Sequence, residues 1–432
     1  MRIHKYWLPF EEPPSPSSIT VDGDDVWFWL SLFPPSHNVG QIRLKDSEAE
    51  FNHYLLPSGR EDRLVIEDGI YKLRMKSREI GQGIAAYGGN LWYFEQEGAM
   101  RMVRTGYNSS RGETVPVRQA LCKMDAKTHR VTKYLFPTSS EVSLRLLPDR
   151  LELDQTGRRA WAATHGNSAW VFDTATNKLK IITIEEVSEI RIQEHVLHEP
   201  KHAFREVAIE PNGECGWFID AHRTIEPNGA LYLFNTGDLS LLKYPLKNFR
   251  PLKSDLASDG RIWLTATSSI SVLVQTPHPP IEIGYILCLN PSTNELTTYL
   301  LPSGILHPAS ILATDEKEVW FGHEGGISRF DPEEAKGSKT FIAPEKPEEW
   351  KLAEYDATEA EGEEIQPNTF KLSPDKPIKE EEPPQEYHPT FYDKFAIYRI
   401  ERMPVNVRDL TKDNRGRIWF TTRRYIGVLV PA

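Results

Sequence analysis

Asp259-Gly260-Arg261-Ile262-Trp263-Leu264 and Gly416-Arg417-Ile418-Trp419-Phe420 are two copies of one phrase. An acidic residue or Gly opens a turn, a short spacer follows, and then come an apolar residue, Trp and usually another apolar or aromatic residue. The phrase recurs as Asp22-Gly-Asp-Asp-Val-Trp27-Phe, Gly89-Asn-Leu-Trp92-Tyr, Gly157-Arg-Arg-Ala-Trp161-Ala, Gly213-Glu-Cys-Gly-Trp217-Phe and Asp315-Glu-Lys-Glu-Val-Trp320-Phe. One rule accounts for seven of the eleven Trp residues. Repetition at this spacing marks a propeller, because each repeat is a small sheet that cannot bury both faces without neighbours.

Around each phrase the chain reads as four strands. In the fifth copy an inner strand begins at Asp255, Ile262-Trp-Leu-Thr-Ala follows the turn, Gly284-Tyr-Ile-Leu-Cys-Leu forms a third strand, and Glu295-Leu-Thr-Thr-Tyr-Leu-Leu-Pro302 a fourth. Apolar and β-branched runs bounded by Gly, Asn, Asp and Pro are strand and hairpin signals. The turn before the fourth strand recurs as Asp125-Ala-Lys-Thr-His129, Asp173-Thr-Ala-Thr-Asn177 and Asp331-Pro-Glu-Glu. The last repeat stops at Ile426-Gly-Val-Leu-Val-Pro431, a third strand, whereas the chain opens on Ile3-His-Lys-Tyr-Trp-Leu-Pro9, which reads as a fourth. The expectation is an all-β, seven-bladed β-propeller of four-stranded antiparallel blades spanning 1–432, with the N-terminal strand completing the last blade. Such closure removes the open sheet edges of a linear array.

One interval is too long. Trp320 and Trp419 are 99 residues apart, against 46 to 69 for the other neighbours. The excess is an acidic, Pro-rich segment, 343–388, whose fourteen Asp and Glu against five Lys give a net charge of −9. Its composition offers little apolar surface to offset ordering. It reads as an insertion between blades 6 and 7, a loop or flexible arm. Since the whole chain carries −11, only −2 remains for everything else. A nearly neutral body without a basic stripe excludes nucleic acid as the expected partner.

No run of the chain approaches the roughly 20 apolar residues of a membrane span, and its first residues carry no apolar stretch of signal-peptide length. The cysteines, Cys122, Cys215 and Cys288, form no CxxC pair and number three, which argues against a disulfide framework. These features lead us to expect a cytoplasmic protein.

The pattern Asp-Gly-x-Ile-Trp-Phe-Thr, then Ile-Gly-x-Leu, then Thr-x-Tyr-x-Leu-Pro resembles the virginiamycin B lyase-like (streptogramin lyase-like) propellers, best at 413–429, 313–330 and 259–302. That resemblance implies a seven-bladed propeller and, for the lyases, two His at the starts of adjacent inner strands and a Glu, around a divalent metal. The corresponding positions here are Ala309, Arg408 and Arg423. Two imidazoles and a carboxylate offer a base and metal ligands; Ala and two Arg offer neither. A shared fold does not transfer chemistry.

In a propeller the starts of inner strands and the ends of second strands open on one face, around a central funnel. Residues expected there include His165, Arg205, Glu206, Asp220, His222, Arg223, His323, Glu324, Arg408, Asp409, Arg423 and Arg424. His323-Glu324 beside Arg408, Arg423 and Arg424 form a candidate clamp for an anionic ligand, since guanidinium forks pair with carboxylate or phosphate; Asp220, Arg223 and Arg205 are further ligand-binding candidates. The same arginines could instead hold the acidic arm over the funnel. His323, Glu324, His165 and His222 are the candidate bases or ligands should catalysis survive. His198-Glu-Pro-Lys-His202, with His195 three positions earlier, matches H-E-x-x-H, but that motif needs a helix, and Pro200 lies inside it; a metal site at these three His is a weak candidate. The reading is a non-enzymatic scaffold or sensor that binds a protein or a small anionic ligand at the funnel face, without a cofactor or membrane and with the acidic insert as a regulatory or recruiting arm. The alternative is a metal-assisted lyase or hydrolase with a rearranged funnel site.

Overall fold

The computed structural model describes residues 2–430 apart from 11–14, 33–35, 46–47, 57–58, 68–69, 105–109, 138–147, 165, 186, 193–194, 201, 222–227, 271–280, 303–304, 306–307, 315–317, 348, 373–389, 393–394, 400–406 and 423–424. Seven antiparallel sheets form the blades of a β-propeller. Their inner strands are Ser15–Asp22, Ile70–Tyr87, Pro148–Leu153, Phe204–Ile209, Arg250–Leu256, Ser310–Ala313 and Asp409–Lys412. The last blade is completed by the chain start: Arg2–Trp7 pairs antiparallel with Tyr425–Val430, and Tyr6 stacks on Trp419 at 5.9 Å.

The repeated phrase has a physical basis at each of its letters. Its glycines Gly23, Gly89, Gly157, Gly213, Gly260 and Gly416 all have positive φ, between 63° and 81°, a region that a Cβ penalises. In the last blade the carboxylate of Asp413 accepts from the backbone N–H of Arg415 and Arg417 and from Trp419 Nε1 at 2.8–2.9 Å. The phrase Trp residues themselves are all buried, at most 3% exposed, and lie in the apolar seams between adjacent blades. The turns after the third strands are equally regular. The side-chain oxygens of Asp125, Asp173, Asn235, Asn290 and Asp331 each accept from the N–H two residues on, and His129, Asn177, Leu239 and Asn294 take positive φ.

The acidic segment departs from the expected arm or loop. After the third strand of blade 6 the chain does not make that blade's fourth strand; it runs back along the outer rim. Ser338–Phe341 adds a strand to blade 5, Lys243 and Glu345 form an isolated bridge on blade 4, Trp350–Asp356 pairs with blade 3, Thr358–Glu361 with blade 2 and Pro367–Leu372 with blade 1. Only then does Phe395–Arg399 supply the fourth strand of blade 6, with Thr390–Tyr392 outside it. The insertion therefore lies within blade 6 rather than between blades 6 and 7.

This girdle sets an apolar residue against one seam after another: Ala335 between blades 5 and 6, Ile342 between 4 and 5, Trp350 and Leu352 between 3 and 4, Ala357 between 2 and 3, Ile365 between 1 and 2, and Leu372 between 7 and 1. The N–H groups of Ile342, Ala357 and Ile365 donate to the carbonyls of Asn294, Asn177 and His129 at 2.8–3.0 Å. Composition averaged over the segment hides these widely spaced apolar residues, and backbone pairing to existing edges supplies the rest of its ordering.

Candidate functional site

Pairing with the phrase Trp defines levels along the axis. The inner-strand residues opposite Trp161, Trp217, Trp263, Trp320 and Trp419 are Glu152, Ala208, Asp255, Leu312 and Thr411. Two residues earlier in the same strands stand Arg150, Glu206, Lys253, Ser310 and Asp409, which thus occupy one level. A register irregularity immediately precedes this level in blades 3, 4 and 5, and bulges re-aim side chains.

At this level the axis is bridged. Arg150 Nη1 of blade 3 donates to Asp409 Oδ2 of blade 7 at 2.7 Å, although blades 1 and 2 lie between them. Arg150 Nε donates to Glu152 Oε1 at 2.7 Å and approaches Glu206 Oε2 at 3.9 Å, while Lys253 pairs with Glu206. Two of the carboxylates also tie blades together through backbone donors: Asp409 Oδ2 accepts from Ile19 N at 3.0 Å and Asp255 Oδ2 from Ala313 N at 2.7 Å. Room for the Arg150 strand comes from Gly83, where a Cβ would lie 2.6 Å from Leu151 N and 2.7 Å from Arg150 C.

Four carboxylates share two cations in this network. Burial pushes the carboxyls of Glu152 and Glu206 up, against the pull of Arg150 and Lys253. Burial likewise pushes Asp255 up to about 7, opposed by the Ala313 N–H and reinforced by Glu152. Burial disfavours the Arg150 cation, but Asp409, Glu152 and Glu206 outweigh it and hold its pKa well above the ordinary value.

Several residues expected at the funnel are committed elsewhere. His323 is buried within blade 6, its Nδ1 donating to the Glu324 carbonyl at 2.9 Å and its Nε2 sharing a hydrogen bond with Ser328 Oγ at 2.9 Å. Both ring nitrogens are therefore engaged in hydrogen bonds; Glu324 beside it is exposed. Asp220 is fully buried, accepting from Ala203 N at 2.9 Å and pairing with His202 Nδ1. Arg205 is the exposed residue inside the blade 4 irregularity, between Phe204 and Glu206.

The half-buried Arg408 begins the blade 7 inner strand, its N–H donating to Thr421 O at 3.0 Å. Ala309 stands at the corresponding point of blade 6, its N–H donating to Gly322 O at 2.8 Å. Arg205 and Arg408 sit on opposite sides of the ring. His165, His222, Arg223, Arg423 and Arg424 lie outside the described residues.

The H-E-x-x-H match is a strand: His195–Pro200 pairs antiparallel with Val187–Ile192. With His202 buried against Asp220, the three His do not share one helical face. The acidic girdle cannot cover the funnel over 338–372, because those residues line the outer rim. The residues that the funnel list missed are Arg150, Glu152, Lys253 and Asp255. Their signal was present in the pairing: they lie opposite the phrase Trp or two positions before that point.

No protein family and no curated protein matches this sequence. Among solved structures, the chain is similar to a streptogramin B lyase at 12% identity, covering 99% of this chain and 96% of that one, with a TM-score of 0.48. It is also similar to the Dos1 propeller, at 9% identity, 98% and 95% coverage and a TM-score of 0.43. A third likeness is to Sqt1 of Chaetomium thermophilum, at 9% identity, 98% and 96% coverage and a TM-score of 0.40.

Proposed function

We propose that this propeller is a non-enzymatic scaffold that binds a protein partner through the face on which its inner strands begin. One observation carries the reading: the described strand extensions rise on that face. The strands Ile70–Tyr87, Asn90–Arg104 and Ser110–Asp125 of blade 2 are 18, 15 and 16 residues long. The hairpin of Val187–Ile192 and His195–Pro200 stands between the fourth strand of blade 3 and the first of blade 4. In blade 5, Ile262–Ile270 and Ile281–Asn290 pair well beyond the length of their neighbours. The opposite face carries the tight repeated turns. Variable structure raised on a rigid frame is where binding residues concentrate.

The girdle belongs to the frame in this reading, since its strands are taken up by pairing. The thiols fit a reducing cytoplasm: Cys122, Cys215 and Cys288 form no disulfide, and burial pushes Cys288 up to about 12 and Cys215 to about 11.

Affinity capture with full-length protein tests the proposal. Replacing 187–200 by a short Gly-Ser turn should abolish capture of specific proteins while leaving the melt unchanged; undiminished capture would count against this face. Metal analysis separates the alternative. A stoichiometric divalent ion lost on substitution of His323 or His222 would restore the lyase or hydrolase reading.

A further inference from the structure

The girdle strands are taken up by the blades on one edge only. The longest, Trp350–Asp356, runs for seven residues, against four in Ser338–Phe341 and Thr358–Glu361 and six in Pro367–Leu372. It is the outermost strand of blade 3, and among the described residues no strand pairs with its far edge. Backbone groups alternate between the two edges of an antiparallel strand. Bonds flanking this strand fix the phase: Glu185 N donates to Glu349 O at 3.0 Å and Ala357 N to Asn177 O at 2.8 Å. Residues 349, 351, 353, 355 and 357 therefore turn their backbone to blade 3, and Trp350, Leu352, Glu354 and Asp356 turn theirs outward. The side chains of these four also share one face, because every second residue does. Trp350 and Leu352 pack half-buried against the seam between blades 3 and 4, whereas the side chains of Glu354 and Asp356 are 48% and 80% exposed. Both carboxylates reach the single ammonium of Lys178, at 3.6 Å and 2.7 Å, so this end of the edge keeps a negative charge.

We propose that the outward edge of Trp350–Asp356 takes an extended segment of a partner protein by strand addition, a segment that sets two cationic and then two apolar residues at alternate positions. An open edge is a template for another strand, and this rim already accepts the chain's own strands on blades 1, 2, 3 and 5. Main-chain bonds supply affinity in this mode, and alternate side chains supply specificity. Added antiparallel, like the girdle strands themselves, the segment sets its cations opposite Asp356 and Glu354 and its apolar residues opposite Leu352 and Trp350. Opposite charges paired across strands stabilise a sheet. A second copy of this chain is the poorer occupant, since the residues its own edge would present are again Trp350, Leu352, Glu354 and Asp356, none of them a cation. The surface is separate from the face on which the inner strands begin, so the proposal is independent of the scaffold reading.

The test uses the full chain and, as probe, a labelled synthetic peptide of the strand's own length, Lys-Val-Lys-Thr-Val-Glu-Ile. Fluorescence anisotropy should show binding that weakens as salt rises. In hydrogen exchange the peptide should slow the amides of Leu352, Glu354 and Asp356, which point outward, and leave those of Lys351, Ala353 and Tyr355, already bonded to blade 3, as they were. Glu354→Pro removes an outward N–H and a carboxylate but no bond of the ladder to blade 3. It should weaken binding by at least about tenfold while the amides bonded to blade 3 keep their protection. Glu354→Lys combined with Asp356→Lys should move binding to the peptide whose two Lys are replaced by Glu. No binding by wild type, equal binding of a peptide N-methylated at the residues opposite Glu354 and Leu352, or undiminished binding by Glu354→Pro would each overturn the proposal. So would a dimer of the free protein that Glu354→Pro dissolves, which would make a second copy the occupant.

Discussion

Arg150 and Asp409 meet across the propeller axis, Nη1 to Oδ2 at 2.7 Å, from blades 3 and 7. Their side chains are 17% and 10% exposed, so the pair is largely withdrawn from water. Partner removal from such a pair is costlier than the pair is stabilising, because a buried charge is left uncompensated. Arg150→Met should lower unfolding stability by about 2–4 kcal/mol, and adding Asp409→Asn should recover part of that loss. Denaturant titration of the two variants measures both. A double-variant loss equal to the sum of those of Arg150→Met and Asp409→Asn alone would show that the cross-axis pair is not coupled.

The same layer should make stability depend on pH. Asp255 is pushed up to about 7 in the folded protein from an ordinary value of 3.8, so between these limits the folded state holds a proton that the unfolded state has released. Its contribution is fully present below about pH 4 and is lost as pH rises through 7. Glu152 and Glu206, also raised, have the same sign. Burial lowers His53, which gives the opposite slope near its range, so the difference between two proteins is the useful readout. Asp255→Asn keeps an oxygen for the Ala313 N–H and should show a smaller drop in melting temperature between pH 5.5 and 8 than wild type, by the linkage relation. Identical drops would place the titration elsewhere.

Ring closure gives a third expectation. Arg2–Trp7 supplies the fourth strand of blade 7, and Ile3, Tyr6 and Leu8 are buried. Their burial stabilises by several kcal/mol, at about 1.5–3 kcal/mol per side chain. Deletion of residues 1–10 should lower the melting temperature by roughly 10 °C. Differential scanning calorimetry that finds the melt unchanged would contradict the closure.

The girdle can be tested by hydrogen exchange. Amides of Trp350–Asp356 that pair with blade 3 should exchange slowly, whereas a solvated arm would exchange at once. Ile365, 6% exposed in the seam between blades 1 and 2, anchors the neighbouring stretch. Ile365→Asp should accelerate exchange in Thr358–Glu361 and Pro367–Leu372 by about a hundredfold or more, since a buried unpaired charge is expelled. Unaltered protection there would mean that the backbone pairing alone holds the girdle.

The sequence by itself determined the blades, their number and the closing strand. Each is local: a Gly that tolerates positive φ, an Asp that caps its own turn and a Trp a few residues on repeat wherever a blade must form, and alternation along short strands selects the buried face. Counting from the Trp also located Glu206 and Asp409 of the axial layer, although not their partners Lys253 and Arg150. Tertiary structure alone decided three things. It set Arg150 against Asp409, 259 positions apart, because only ring closure brings those strands to one level. It sealed His323 with Ser328 and His202 with Asp220, turning polar residues expected at an open funnel into internal hydrogen-bonding groups. It also laid the acidic segment around the rim, where Thr369 Oγ1 reaches Asn52 Oδ1 at 2.7 Å over a separation of 317 residues. Average composition cannot register a segment whose apolar residues are few but each meet a seam, since the seams exist only once the ring has formed.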